Sequence, residues 1–229
     1  MTAAKIIFIT GTDTGVGKTL LTALLLHHLR AHGCRALAMK PFCSGGRGDV
    51  RLLQSLQRGE LADAEMNPFY FEQPVAPLAA TSTLRKKIPL KLVIERIRAV
   101  ANKCEILLVE GSGGLLVPLG EGYTVADLIA KLRCRVLIAA RNQLGTINHT
   151  LLTIKVLRAM GIADTNLSVV MMAGANRDAS SRTNQQIIAD FIRPIDVLQI
   201  PFLGEKMTQK NAFMAGYPKA RTALNRLLA

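Results

Sequence analysis

Short apolar segments alternate regularly with longer amphipathic ones along most of the chain, and few folds are compatible with this order. The apolar segments are typical of strands buried on both faces and read "KIIFIT", "RALAMK", "EILLVE", "RVLIAA", "LSVVMMA" and "DVLQIP". The amphipathic segments follow the helical period and include "KTLLTALLLHHLRAH", "LKLVIERIRAVANK", "HTLLTIKVLRAMG" and "SSRTNQQIIADFI". Apolar strands joined by helices predict an α/β fold, doubly wound, with a mainly parallel sheet and helices on both of its faces.

Length and composition favour a single domain over residues 1–229. Apolar residues make up 49% of the chain and charged residues 20%, which argues against global disorder. The stretch from Gly45 to Ile88 gives no clear pattern. The four cysteines form no CxxC pair, and no histidine stands at zinc-ligand spacing, which favours reduced thiols and a cytoplasmic protein. The apolar run near Met1 is too short for a signal peptide or a membrane segment.

The first apolar segment runs into "GTDTGVGKT", which begins at Gly11 and enters the first helix. Ligands of doubly wound sheets bind beyond the carboxyl ends of strands, so this position is informative. Glycines let successive N–H groups point at phosphate, while Lys18 would neutralise its charge and Thr19 would bind magnesium. The usual loop has four residues between its glycines, whereas five separate Gly11 from Gly17. A capped glycine turn is the structural alternative, but the place between strand and helix favours nucleotide binding.

The second apolar segment ends in "MKPFCSGG", which puts Lys40 at the end of a predicted strand. A lone lysine there is commonly a surface residue or an ion-pair partner. Beside a phosphate loop it would instead stabilise a transferring phosphoryl group or an anionic intermediate. Asp49 opens the next predicted helix, and we interpret it as a metal ligand in preference to a helix cap.

A third segment ends in "VEGSGG", with Glu110 after four apolar residues. A buried carboxylate without a partner is costly, so a cation partner is expected. Glycines around it allow close approach of a ligand. Thr19, Asp49 and Glu110 therefore form a predicted set of oxygen ligands suited to magnesium on nucleotide phosphates.

Two later segments carry weaker signals. After "RVLIAA", we expect a long helix to begin at Asn148 and His149, whose free N–H groups would suit a carboxylate. We interpret His149 as a cap or structural residue in preference to a catalytic base. Asn176, followed by Arg177, could read a nucleobase edge, although asparagine is also common in turns.

The net charge of +13 admits nucleic acid, an anionic surface or anionic small molecules as partners. Aromatic residues are scarce, and no DNA- or RNA-binding motif is evident, so nucleic acid is not favoured. A nucleotide, magnesium and two lysines permit phosphoryl transfer, hydrolysis or ATP-driven ligation. Composition and spacing do not choose among these reactions.

The assembled motifs resemble those of the dethiobiotin synthase family of biotin biosynthesis. "GTDTGVGKT", "KPFCSGG", "VEGSGG" and "LGTINH" occur in that order, with "NR" and "IPFL" further on, so that the resemblance spans Lys5 to Leu203. Five residues between the glycines of the phosphate loop are a mark of this family. The resemblance implies the P-loop NTPase fold and an ATP-dependent cyclo-ligase, which closes a ureido ring on 7,8-diaminononanoate with carbon dioxide through a carbamate and a carbamic-phosphoric anhydride.

The resemblance also implies roles for residues. The nucleotide would be bound by the loop and a distal adenine pocket, which comprise Gly11, Thr12, Asp13, Thr14, Gly15, Val16, Gly17, Lys18, Thr19, Asn176 and Pro201. Catalysis would depend on Lys18, Lys40, Thr14 and Ser44, and magnesium on Thr19, Asp49 and Glu110. A homodimer is implied, in which the substrate, held partly by Ser44, reaches the neighbouring subunit at Gly145, Thr146, Ile147 and Asn148. No covalent protein nucleophile is implied.

The chain departs from the family pattern in three places. Gly15 stands where some members have glutamate, the connection from Lys40 to Asp49 is shorter than in some members, and "LQIP" replaces a Leu-Gly pair before the late Ile-Pro. The last difference leaves the alignment of the base pocket open after Asp196. The alternative function is a regulatory or partitioning-type ATPase of the same fold, but such proteins usually have an extra lysine early in the loop, and residues 11–16 contain none.

Overall fold

The centre of the fold is a six-stranded parallel sheet. The computed structural model describes residues 5–176 and 178–228, and only the backbone of Lys210. In chain order the strands are β1 (Lys5–Gly11), β2 (Ala36–Met39), β3 (Phe42–Ser44), β4 (Phe69–Phe71), β5 (Ile106–Glu110), β6 (Pro118–Gly120), β7 (Tyr123–Thr124), β8 (Arg135–Arg141), β9 (Leu167–Met172) and β10 (Asp196–Ile200). The helices are α1 (Lys18–Ala31), α2 (Gly48–Gln57), α3 (Asp63–Met66), α4 (Pro77–Thr83), α5 (Leu90–Ala101), α6 (Val125–Leu132), α7 (Thr146–Ala159), α8 (Asn184–Ile192), α9 (Lys210–Gly216) and α10 (Arg221–Leu228).

The strand order of the central sheet is β10-β9-β8-β1-β5-β2, and every neighbouring pair is parallel. The chain moves from β1 past β5 to β2, then returns and continues across β1 to β8, β9 and β10. Because such crossovers are right-handed, this reversal of direction places helices on both faces of the sheet. The predicted doubly wound parallel sheet is therefore confirmed, with its switch of direction beside β1.

The six predicted strand segments all form this sheet, within one or two residues of the expected bounds. Every residue of β9 is buried, and Ile7, Phe8 and Ile9 of β1 are almost completely shielded from solvent, as strands covered on both faces require. On α1, Leu21, Leu24, Leu25 and His28 are buried together, as the helical period predicted.

Two helix bounds differ from the sequence prediction. The helix expected from Asn148 begins two residues earlier, at Thr146, directly after Gly145, which has a left-handed backbone conformation. The segment "SSRTNQQIIADFI" is helical only from Asn184, since the Asp178 side chain accepts a hydrogen bond from the Ser181 N–H and holds a 3₁₀ turn at Ala179–Arg182. The stretch from Gly45 to Ile88, which shows no clear sequence pattern, contains α2, α3, β4 and α4.

Two short two-stranded sheets accompany the central one: β3 pairs with β4 in parallel, and β6 pairs with β7 antiparallel. None of the helices described is both long and apolar enough to cross a membrane. The cytoplasmic location expected from the cysteines stays a prediction.

Candidate active site

A cavity of about 540 Å³ lies at the carboxyl ends of β1 and β5, beside the switch of strand direction. Three separate strand ends contribute to its wall, as the general geometry of doubly wound sheets predicts for a ligand site. The residues predicted from sequence that line it are Thr14, Gly15, Gly17, Lys18, Thr19, Lys40, Ser44, Asp49 and Glu110. The fold thus brings the phosphate loop, both lysines and both carboxylates to one place.

The phosphate loop joins β1 to α1, and Lys18 is the first residue of that helix. Gly15 and Gly17 have φ angles of 70° and 101°, which residues with a side chain rarely adopt. No acidic residue occupies the first turn of α1, so the positive end of the helix dipole faces the cavity unneutralised. The loop therefore has the conformation and the polarity of an anion site.

Lys18 is buried in the wall of the cavity, where its Nζ donates to the Asp13 carbonyl oxygen at 2.8 Å. Its pKa is lowered to about 8, mainly by burial and to a smaller extent by the nearby Lys40, while the Glu110 carboxylate opposes the shift. A bound phosphate group would favour the charged form of Lys18. The resulting ammonium group would be available to the phosphate, because its one hydrogen-bond acceptor within the described residues is the Asp13 carbonyl oxygen.

Lys40 lies at the end of β2 and joins the two carboxylates. Its Nζ donates to the Asp49 carboxylate and to Glu110 Oε1, the latter at 2.8 Å. Burial alone would lower its pKa, but the two carboxylates outweigh burial and hold the pKa above the ordinary value. Lys40 is therefore a permanent positive charge, in contrast to Lys18.

Glu110 is 1% exposed, and its Oε1 also accepts a hydrogen bond from Thr19 Oγ1 at 2.7 Å. Within residues 5–176 and 178–228, its second oxygen, Oε2, has no hydrogen-bond partner, and neither has the buried Ser44 Oγ. Buried polar atoms without partners are uncommon in proteins, and these two belong to residues that line the same cavity. A bound cation could interact with Glu110 Oε2, and a bound polar group could form a hydrogen bond with Ser44 Oγ.

The geometry fits magnesium held jointly by protein and nucleotide. The Asp49 and Glu110 carboxylates both accept hydrogen bonds from Lys40 Nζ, and Glu110 also accepts one from the Thr19 hydroxyl, so the three predicted ligands lie close together. In the part of the chain that the structure describes, no group of three or more His, Cys, Asp or Glu side chains is arranged as a metal centre of its own. Magnesium is commonly bound by one or two carboxylates together with substrate phosphates, so such a centre is not required.

Several residues of the cavity wall were missed by the sequence analysis. Ser112 stands inside the quoted "VEGSGG" motif and could have been found there. The apolar wall formed by residues 74–77 lies in the stretch that gave no pattern, so no signal pointed to it. Cys43 also lines the cavity, and burial raises the pKa of its thiol, which keeps it in the weakly nucleophilic neutral form.

The start of α7 lies on the other side of the phosphate loop. A second cavity, of about 100 Å³, is lined by Thr12, Asp13, Arg141, Thr146 and His149, among others. His149 is the fourth residue of α7 and is exposed, so the expectation that it begins or caps the helix is wrong. Ile147 and Asn148 follow Thr146 in the first turn and line neither of these two cavities.

The two residues predicted to bind adenine, Asn176 and Pro201, do not line the cavity of about 540 Å³. Asn176 is exposed and Pro201 half-buried, both just beyond the ends of β9 and β10. A cavity of about 290 Å³ beyond these strands is lined by Asn142, Gly174, Arg182 and Gln199, among others, but not by Asn176 or Pro201. The assignment of the base pocket stays a prediction, and Arg177 lies outside the described residues.

Comparisons with known proteins agree with this architecture. A family model described as an AAA domain matches residues 5–206. The chain is 36% identical over 189 residues to the ATP-dependent dethiobiotin synthetase BioD of Bacillus licheniformis, with 80% of each chain covered. It is 41% identical over 187 residues to the protein of the same name from an Anaeromyxobacter species, strain Fw109-5, covering 80% of this chain and 83% of that one.

A solved structure of the MinC:MinD cell division protein complex of Aquifex aeolicus matches with a TM-score of 0.60 at 16% identity, covering 98% of this chain and 96% of that chain. At that identity the likeness shows the fold alone. Sequence relatives decide the family, because both are above 30% identical and are covered over most of their length. The chain belongs to the ATP-dependent dethiobiotin synthetase family.

Proposed function

We propose that the protein closes the ureido ring of dethiobiotin on 7,8-diaminononanoate, using carbon dioxide and ATP. One observation carries the proposal beyond family membership. The phosphate loop, Lys40 and Glu110 line one cavity, where Glu110 Oε2 and Ser44 Oγ are buried without partners. A site of this kind binds a nucleotide together with a second polar substrate.

The chemistry proceeds in three steps. One amine of the substrate attacks carbon dioxide, loses a proton and becomes a carbamate. A carbamate oxygen then attacks the γ-phosphorus of ATP, which forms a carbamic-phosphoric anhydride and releases ADP. The second amine attacks the carbamate carbon, phosphate leaves, and the amine loses its proton as the ring closes.

The side chains of the cavity serve this sequence by placing charge. Lys18 and Lys40 oppose the negative charge of the carbamate and of the transferring phosphoryl group, which is the main means of catalysis in phosphoryl transfer. Thr14 and Ser44 line the same cavity, and their hydroxyl groups would donate hydrogen bonds to the carbamate. No protein nucleophile is needed, in agreement with the neutral thiol of Cys43.

Magnesium would be held by Thr19, Asp49 and Glu110, with Glu110 Oε2 available as a ligand atom. When bound, the ion would neutralise phosphate oxygens and orient the terminal phosphate. Because Lys40 contacts both carboxylates, it would fix their positions toward the ion and the nucleotide at the same time.

We also propose that the protein is a homodimer and that the start of α7 receives the substrate carboxylate of the neighbouring subunit. Three leucines support this proposal: Leu116, Leu144 and Leu152 are 60%, 80% and 53% exposed. They line two cavities that share Thr12, Asp13 and His149, so they belong to one region beside the phosphate loop. Exposed leucines grouped in this way are typical of a protein interface.

The test is phosphate release from Mg-ATP with and without 7,8-diaminononanoate and bicarbonate, with the organic product followed by mass spectrometry. We expect release that depends on the diamine and equals the amount of ring-closed product. Phosphate release that is indifferent to the diamine, with no ring-closed product, would contradict the proposal and favour a regulatory or partitioning-type ATPase.

A further inference from the structure

Arg141 contacts the outer side of the phosphate loop, the side that faces the second cavity and not the cavity of about 540 Å³. Arg141 is the last residue of β8, the strand that lies beside β1. The loop crosses the end of β8, since the Thr12 N–H donates to the Ala139 carbonyl oxygen at 3.0 Å. Further along the loop, Arg141 Nη2 donates to the carbonyl oxygen of Gly15 at 2.5 Å. A guanidinium group from a neighbouring strand thus holds the backbone of the loop.

The hydrogen bond from Arg141 restrains Gly15, the part of the loop whose backbone could otherwise rotate most easily. Gly15 has a φ angle of 70° and no side chain, so its peptide groups can reorient at low cost. A carbonyl oxygen turned toward the cavity would repel phosphate oxygens, whereas the bond to Arg141 keeps the Gly15 carbonyl on the outer side. The loop has one residue more between its glycines than the usual motif, and hence one more peptide group to restrain.

The base of Arg141 is rigid. The next residue, Asn142, is buried, and its N–H donates to the Met172 carbonyl oxygen at 3.0 Å. Its side chain donates to the Ser181 carbonyl oxygen and accepts a hydrogen bond from the buried Asn184, both at 2.9 Å. Buried, satisfied networks of this kind fix the backbone that they contact.

Among the described residues, no carboxylate competes for Arg141 by forming an ion pair with it, whereas Arg30, Arg47, Arg158 and Arg193 each form one. We propose that Arg141 is a positioning residue, which holds the Gly15 carbonyl outward and so keeps the N–H groups of the phosphate loop directed at the nucleotide. The inference rests on the proposed function, because it concerns the nucleotide site of that same reaction.

The test compares Arg141→Gln with Arg141→Lys and with Arg96→Gln. Arg96 is exposed on α5, away from the loop, so its variant controls for the loss of one positive charge. Binding of Mg-ADP is measured by titration calorimetry, and steady-state kinetics give kcat and the KM for ATP. We expect Arg141→Gln to weaken Mg-ADP binding about three- to tenfold, the range for one lost hydrogen bond, and to raise the KM for ATP equally.

The value of kcat should stay within about twofold, because a preorganised loop contributes equally to the bound ground state and the transition state. Arg141→Lys should recover most of the affinity, since an ammonium group can still donate to one carbonyl, and Arg96→Gln should bind as the unaltered protein does. Unchanged Mg-ADP affinity in Arg141→Gln would overturn the inference, as would a large fall in kcat at unchanged affinity. The two proposals can fail independently. If the unaltered protein binds Mg-ADP but forms no ring-closed product, the proposed function fails, while the effect of Arg141→Gln on Mg-ADP affinity still tests the role of Arg141.

Discussion

Lys18 and Lys40 line one cavity, yet their surroundings shift their pKa values in opposite directions. Burial dominates at Lys18 and lowers its pKa, whereas two carboxylates dominate at Lys40 and raise it. Lys18, with its lowered pKa, becomes fully charged when an anion binds. Lys40, with its raised pKa, is already charged and holds the Asp49 and Glu110 carboxylates before any ligand binds. At the scale of residues, the two lysines are thus predicted to respond differently to pH and to substitution.

The first prediction concerns pH. In the free protein Lys18 loses its proton as the pH rises through about 8, so above this pH nucleotide binding must take up a proton. We expect the affinity for Mg-ADP to fall above pH 8, by up to about tenfold per pH unit. Titration calorimetry between pH 7 and 9.5 measures this fall. Lys18→Arg keeps its charge throughout and should show no such decline; an equal decline in that variant would contradict the assignment.

The second prediction concerns Lys40. Its removal in Lys40→Ala leaves the buried Glu110 carboxylate without its cation, which should lower the free energy of unfolding by about 3 kcal/mol and turnover by orders of magnitude. The double variant Lys40→Ala with Glu110→Gln should recover much of the stability but none of the turnover. Urea unfolding of the two single variants and the double variant measures the coupling. Additive losses would mean that the ion pair contributes nothing to stability.

At the scale of elements, the phosphate loop packs against the end of β9. A Cβ atom at Gly17 would lie 3.1 Å from Met172 Cγ, and the φ angle there is 101°. Gly33, after α1, has a φ angle of 79° but no atom within 4 Å of the position of a Cβ. The two glycines therefore share a backbone conformation and differ in their surroundings.

The third prediction uses this difference. Gly33→Ala should cost only the backbone strain, about 1 kcal/mol, and leave nucleotide binding unchanged. Gly17→Ala should cost more and weaken Mg-ADP binding, because the strain falls within the phosphate loop and the Met172 side chain or the loop must also give way by a few tenths of an ångström. Thermal unfolding and calorimetry of both variants measure the effect. Equal losses of stability and intact binding in both would show that the contact with β9 is unimportant.

The sequence sufficed for elements whose signal is local. Buried strands are apolar along their length, and the phosphate loop is a contiguous motif, so both could be recognised without knowing the rest of the fold. The wall formed by residues 74–77 could not, since its residues share no periodicity and their place at the cavity depends on the tertiary fold. A cation partner was expected for Glu110, but its pairing with Lys40, together with Asp49, could not be predicted because it depends on the relative placement of three segments.

At the scale of the whole molecule, the proposed homodimer gives the fourth prediction. Leu144→Asp places a charge in the apolar region beside the loop and should convert the dimer to a monomer. Turnover should fall with it, because the substrate carboxylate loses its site on the second subunit. Phe191, which is 70% exposed on α8 and lines none of the cavities around the loop, provides the control Phe191→Asp. Light scattering after gel filtration gives the mass; a monomeric unaltered protein with full activity would contradict the proposal.

The position of β1 within the sheet has a consequence for synthesis. Of the six strands in the central sheet, β1 is synthesised before the others, but its two neighbours are β5 and β8, which follow much later in the chain. At ordinary rates of translation, β1 waits roughly ten seconds for its first neighbour, with an apolar segment and two unpaired edges exposed. The arrangement that gathers three strand ends around one cavity therefore leaves the nascent chain open to aggregation for as long as its central strand has no partner.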